Sequence, residues 1–265
     1  MLVKDRLDKS WNHSNNVDDE EIKRFTAVAE EWWNPNGKFR VIHKFNPVRR
    51  DYIIICIADY YARDISGTSP FAGLKILDVG CGAGLLCEPL ADLGASVVGI
   101  DATARNIEIA RWHAVESELS IDYRHCLTED IEQTGERFDV VLNTEVIEHV
   151  VNPHQLLADC SKLLKPNGIM IVATLNRTLK AYLLAIIGAE YVLKWLPKGT
   201  HEWKRFLSPS EIKNMIEPCG LETVSVTGVS FNLFSNRWRL SKDTSVNYML
   251  LAAKKTDGDS EIRKY

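Results

Sequence analysis

Between Lys75 and Ala173 four short apolar runs alternate with stretches of helical periodicity. The runs are KILDV (Lys75–Val79), SVVGI (Ser96–Ile100), FDVVL (Phe138–Leu142) and IMIVA (Ile169–Ala173), with Leu85–Leu93 and Asn106–Glu116 among the helical stretches between them. Parallel strands need long crossovers, usually helices, so this alternation predicts βαβ units and a doubly wound α/β sheet that is mostly parallel. Two later runs, Glu222–Thr227 and Asn247–Ala253, follow one another without a long helix and predict an antiparallel pair finishing the sheet. With 265 residues the chain fits one core domain over 1–265 better than two.

That core carries two additions. A helical extension is expected over 18–70: Asp18 can accept a free amide as an N-cap, and Ile22, Phe25, Val28, Ala29 and Trp32 recur at helical spacing. Asn34-Pro35-Asn36-Gly37 is read as its stop, and a second helix is expected from near Asn46-Pro47 through Tyr61. An apolar insert occupies 174–209. Its centre, Ala181–Leu196, is shorter than the ~20 residues of a bilayer span and is interrupted by Glu190 and Lys194. It reads as a lid, an interfacial helix or a buried helix, and Arg177, Lys180, Lys194, Lys198, Lys204 and Arg205 flank it where anionic lipid would be met.

Ligands of open α/β sheets sit beyond the carboxyl ends of the strands. The first strand ends in Asp78-Val79-Gly80-Cys81-Gly82-Ala83-Gly84, where three alternate glycines let the backbone bend and approach a ligand. Leu85 stands where a dinucleotide G-x-G-x-x-G would have its third glycine, which counts against NAD. Asp101, ending the second run, is placed to accept the hydroxyls of a ribose.

FDVVL leads into Asn143-Thr144-Glu145-Val146-Ile147-Glu148-His149. If 145–149 make a helical turn, Glu145, Glu148 and His149 share one face and suit a divalent metal, with Mg²⁺ favoured by the carboxylates. The same residues are equally read as a helix start favouring acidic groups, or as a single histidine acting as general base.

Bulk properties narrow the partners. A net charge of −4 offers no general attraction to nucleic acid, and no N-P-P-[YF] motif replaces Asn143-Thr144-Glu145. Cys56, Cys81, Cys87, Cys126, Cys160 and Cys219 form no C-x-x-C pair, and the first residues carry no apolar signal core, so a cytoplasmic, reduced setting is expected.

LDVGCGAG followed by GID resembles the class I S-adenosylmethionine-dependent methyltransferases. Narrower pieces, EIKRFTAVAEEWWNPNGKF, IHKFNPVRRDYI, EVIEHV, the insert TLNRTLKAYLLAIIGAEYVLKWLPKGTHEWKRFLSP and VNYML, resemble the ubiquinone biosynthesis O-methyltransferases from about Asp18 to Ala253. The resemblance implies a Rossmann-like, seven-stranded sheet with an antiparallel last strand. It implies O-methylation of polyprenylated, catechol-like rings at two steps of that pathway. It implies cofactor contacts by Arg49, Gly80, Gly82, Gly84, Asp101 and Thr144, and a Mg²⁺ site at Glu145, Glu148 and His149, the latter three also serving catalysis. Peripheral contact with the inner face of the membrane and membership of a biosynthetic complex are further expectations. The rival readings are another small-molecule methyltransferase and a non-catalytic organising subunit; intact glycines and an intact E-x-x-E-H stand against the second.

Overall fold

A computed structural model describes residues 16–183, 203–232 and 237–255. Asp18 caps α1 (Asp19–Thr26) by accepting the Glu20 amide at 3.1 Å. The helix does not run on to Trp32 as its periodicity suggests. It gives way to a single 3₁₀ turn, Ala29–Glu31, which turns Trp32 and Trp33 onto the sheet's glycine loop. The second helix, α2 (Arg40–Tyr60), begins well before the expected Asn46-Pro47 and carries Pro47 inside it. An internal proline costs a helix ~3 kcal/mol. Burial of Phe39 and Phe45, together with a 2.7 Å bond between His43 Nε2 and the Trp32 carbonyl, holds the early turns in place.

The remaining elements are β1 (Lys75–Val79), α3 (Cys87–Asp92), β2 (Ser96–Asp101), α4 (Ala104–Glu116), β3 (Asp122–His125), α5 (Thr128–Thr134), β4 (Phe138–Thr144), α6 (Pro153–Leu163) and β5 (Leu164–Leu175). A one-turn α7 (Leu179–Ala181), a 3₁₀ turn (Trp203–Arg205), α8 (Pro209–Ile216), another such turn (Glu217–Cys219), β6 (Leu221–Asn232), β7 (Arg237–Ser241) and β8 (Asn247–Lys254) complete the described chain. The described strands form one sheet of eight, not seven, in the order β3-β2-β1-β4-β5-β8-β6-β7. The pairs from β3 to β5 are parallel, and β8 enters antiparallel between β5 and β6. The additional strand is β7, antiparallel to β6 at the sheet's edge.

The central strands are buried on both faces, which explains their continuous apolar runs. On β1, Ile76 joins the core under α2, α3 and α4, whereas Leu77 and Val79 join the core under α5, α6 and α8. Edge strands lack this signature. β3 reads DYRH, and Arg124 is held there by Asp122 and Glu136.

The insert leaves and returns at one place. Trp203 donates its indole N–H to the Thr178 carbonyl at 3.1 Å, and Phe206 is buried with Leu175 and Ala181. Tyr248, from the VNY segment, donates to the Leu207 carbonyl at 2.7 Å and locks this base to β8. Leu179, Tyr182 and Leu183 are exposed at the departing end. Leu184, Ile186, Ile187, Glu190, Lys194 and Lys198 lie outside the described residues. Three of the flanking cations already have carboxylate partners within the fold: Arg177 with Glu211, Lys180 with Asp243 and Arg205 with Asp18. Among the described residues no helix is long and apolar enough to cross a membrane.

Candidate active site

Strand register brings the candidate cofactor residues together. Val79 pairs with Ile100 on one side and Asn143 on the other. The next residues of those three adjacent strands are Gly80, Asp101 and Thr144, so they share one edge of the sheet. The chain reverses its winding direction between β1 and β4, where such folds leave a crevice. A cavity of about 1070 Å³ opens there, lined by Gly80, Gly82, Asp101, Thr144, Arg49, Glu145 and His149 among others.

The glycines take left-handed backbone angles, with φ of 69° at Gly80, 55° at Gly82 and 89° at Gly84. Their surroundings differ. A Cβ on Gly80 would lie 2.3 Å from Val146 and one on Gly82 2.8 Å from Trp32. Gly84 faces away from the cavity lining; a Cβ there would lie 2.1 Å from the Tyr123 hydroxyl. Thus Gly80 and Gly82 form the cradle, and Gly84 makes room for a core tyrosine.

Asp101 clamps this loop. Its Oδ2 accepts the Gly82 amide at 2.9 Å, and its Oδ1 accepts the Thr103 amide at 2.7 Å and the Asn106 side chain at 3.2 Å. Burial raises its pKa, and these hydrogen bonds oppose the shift. Asn106 in turn accepts the Trp32 indole N–H at 2.9 Å, and the Trp33 indole donates to the Ala83 carbonyl at 3.0 Å. Trp32 and Asn106 were not among the sequence candidates; the WW-x-P-x-G-x-F segment was the available signal.

Arg49 is buried on α2. Its Nη1 donates to Glu145 Oε1 at 3.3 Å and its Nε to Asn46 Oδ1 at 3.1 Å, while the guanidinium stands 4.9 Å from the Phe45 ring centroid. Burial pulls its pKa down, and the charges of Glu145, Asp78 and Glu148 oppose this. Nearby, Asp78 accepts the Cys87 thiol at 3.3 Å through Oδ2, and Oδ1 is buried without a partner. Burial pushes its pKa up to about 7 from 3.8. The native protein therefore keeps this proton up to about pH 7, while the unfolded chain loses it near pH 4. Stability falls as pH rises through that window. Asp78→Asn is expected to raise Tm at pH 8 by several degrees, at roughly 2–4 °C per kcal/mol, and to give no gain at pH 4. An equal change at both pH values, measured by calorimetric melting, would show that Asp78 ionises without cost.

The helical turn expected at 145–149 forms only as a tight turn over 146–149, with the His149 amide bonding the Val146 carbonyl at 2.9 Å, and Glu145 stands outside it. Glu145 sits at φ 57°, a left-handed conformation that costs a side-chain-bearing residue roughly 1–2 kcal/mol, and its amide continues the ladder by bonding the Ala173 carbonyl. The three expected ligands then engage three different partners. Glu145 meets Arg49, and Glu148 accepts the Thr174 hydroxyl at 2.9 Å. His149 Nδ1 lies 2.9 Å from Glu21 Oε2, on α1. Burial, and then the Glu145 charge, push the Glu148 pKa up. Among the described residues no group of three or more His, Cys, Asp or Glu is placed to hold a metal ion, so this arrangement does not fit the expected Mg²⁺ site.

Glu21, in the first turn of α1, is a further residue of this corner that was not among the sequence candidates. Burial works against its ionisation, and the His149 bond with the His149, Arg24 and Arg205 charges outweighs it, holding the carboxyl below its ordinary value. Phe25 packs edge-on to the imidazole at 5.4 Å. The arrangement places a carboxylate-paired imidazole on the wall of the cavity that Gly80, Gly82 and Asp101 also line.

A methyltransferase-domain family model matches residues 57–226. The ubiquinone biosynthesis O-methyltransferase of Chelativorans sp. (strain BNC1) is 55% identical over 240 residues, which cover 91% of this chain and 95% of that protein. Its namesake from Parvibaculum lavamentivorans is 51% identical over 253 residues, covering 96% and 99%. Among solved structures, magnesium protoporphyrin IX methyltransferase (ChlM) from Synechocystis PCC 6803 with bound SAH aligns at a TM-score of 0.64 and 19% identity, over 90% of this chain and 100% of that one. That likeness is one of fold.

Proposed function

The chain belongs to the ubiquinone biosynthesis O-methyltransferase family, and from this premise we propose that it methylates hydroxyls of polyprenylated, catechol-like rings at two steps of that pathway. It is an enzyme that uses S-adenosylmethionine. The observation carrying the acceptor reading is that one cavity joins the Gly80–Asp101–Thr144 edge to the His149–Glu21 pair and to an apolar wall.

S-adenosylmethionine supplies a methyl group borne on a sulfonium sulfur, so the methyl carbon is already electrophilic. Asp101 suits a ribose hydroxyl, Arg49 its carboxylate, and Gly80 and Gly82 the close passage of its amino-acid arm. A phenolic hydroxyl, with a pKa near ~10, is a poor nucleophile until its proton leaves. With Nδ1 engaged by Glu21, His149 presents Nε2 as the acceptor for that proton. The ring oxygen then bonds the methyl carbon as the carbon–sulfur bond breaks, and the protein's task is to hold oxygen and carbon in line at about 3 Å. An isoprenoid tail costs ~0.8 kcal/mol for each CH₂ left in water, which gives the apolar lining its purpose.

The test is a methyl-transfer assay with radiolabelled S-adenosylmethionine and a prenylated dihydroxybenzene. Label appearing as an aryl methyl ether supports the reading; transfer to nitrogen acceptors alone would overturn it. Contact with an anionic membrane surface is also proposed, supported by the composition of Ala181–Leu196 and the exposed Leu179, Tyr182 and Leu183. Sedimentation with anionic vesicles that high salt abolishes is the expected result; no sedimentation at low salt would refute it.

A further inference from the structure

The cavity extends past the cofactor cradle along a continuous set of contacts. From Glu145 the path runs to Arg49 at 3.3 Å, and the Arg49 guanidinium covers the Phe45 ring at 4.9 Å. Phe45 meets Trp238 with centroids 5.1 Å apart, and Trp238 meets Phe231 at 5.2 Å. Phe231 and Trp238 are register partners on β6 and β7, so their side chains share one face of the sheet. All three rings line the cavity, as does the buried Val229.

We propose that this wall of Phe45, Phe231 and Trp238 is the subsite for the isoprenoid tail of the acceptor. The inference rests on the acceptor reading above and adds where the tail lies. Three features select this occupant. The wall lines the same cavity as Asp101 and His149, so a molecule whose ring sits beside them reaches it without leaving that cavity. The cavity, at about 1070 Å³, stands at the top of the roughly 300–1,000 Å³ range of ligand pockets and is lined well beyond the cofactor edge, as far as β6 and β7. The far rings are aromatic and half-buried, offering flat apolar faces to a branched hydrocarbon. The edge strand β7 is what delivers Trp238: in RWRLS, Trp238 stands between the exposed Arg237 and Arg239 and turns inward onto Phe45.

The test uses the full chain with two dihydroxybenzoates that differ only in bearing or lacking a farnesyl group. The unmodified protein should show a higher kcat/KM for the farnesylated compound. In Trp238→Ala, and separately in Phe231→Ala, the ratio of the two kcat/KM values should fall about tenfold, since less apolar surface is buried against the tail. An unchanged ratio in both variants overturns the subsite. Should Trp238→Ala fail to fold by circular dichroism, Trp238→Leu, with a smaller fall of the same ratio, decides. If neither compound is methylated, the acceptor reading fails by itself. Calorimetric titration of the two compounds, in the presence of S-adenosylhomocysteine, then still decides the subsite: a tail-dependent affinity that Trp238→Ala removes supports it, and tail-independent binding rejects it.

Discussion

Asp101→Ala is expected to raise the dissociation constant for S-adenosylmethionine about 10- to 150-fold. A carboxylate has about four lone-pair positions, and three are spent on Gly82, Thr103 and Asn106. One remains for a ribose hydroxyl, a single charge-assisted bond of ~1.5–3 kcal/mol rather than the pair that a free carboxylate would offer. The same substitution frees the Gly82 amide, so part of the loss will come from a loosened loop. Isothermal titration calorimetry on the folded variant gives the figure. Affinity unchanged within twofold would remove Asp101 from the cofactor site. A loss far above 150-fold would mean that the Gly82 amide yields its place and both hydroxyls are bound.

His149→Ala is expected to lower kcat by about 10²–10⁴, the usual contribution of a positioned base, with little change in cofactor affinity. Glu21→Gln should lower kcat as well, because the amide no longer stabilises the protonated imidazole and its NH₂ can donate to Nδ1, leaving the ring hydrogen on Nε2. Exhaustive chelation distinguishes the two chemistries considered for this corner of the cavity. Turnover that survives EDTA and disappears in His149→Ala supports direct proton transfer. Turnover that EDTA abolishes and Mg²⁺ restores would reject it, and would require Glu145, Glu148 and His149 to leave Arg49, Thr174 and Glu21 and converge.

The strands that the sequence exposed are the ones with two apolar environments. KILDV, SVVGI and FDVVL are buried on both faces, and their pattern needs no knowledge of neighbours. β3 and β7 were invisible for the opposite reason. DYRH and RWRLS have edge positions, and what makes them strands is pairing with β2 and β6. Asp18 was legible as a cap because a cap is a local hydrogen bond. The start of α2 was not, because its first turns are held by Phe39, Phe45 and Trp32 against a proline that locally argues for a later start.

The candidate site divides along the same line. Local chemistry in the chain determined the glycine turn, the strand-end Asp101 and the family, since each is a short run whose residue types are demanded by backbone geometry or by a motif. Tertiary structure decided everything that depends on which distant group meets which. It gave Gly84 to Tyr123, spent most of Asp101 on the loop, turned Glu145 left-handed toward Arg49, and set Glu21 against His149. It also laid Trp238 across from Phe45. Spacing along a chain predicts a shared face only while the backbone stays helical, and at Glu145 a φ of 57° ends that condition. From that residue onward, direction is set by packing, which no local pattern records.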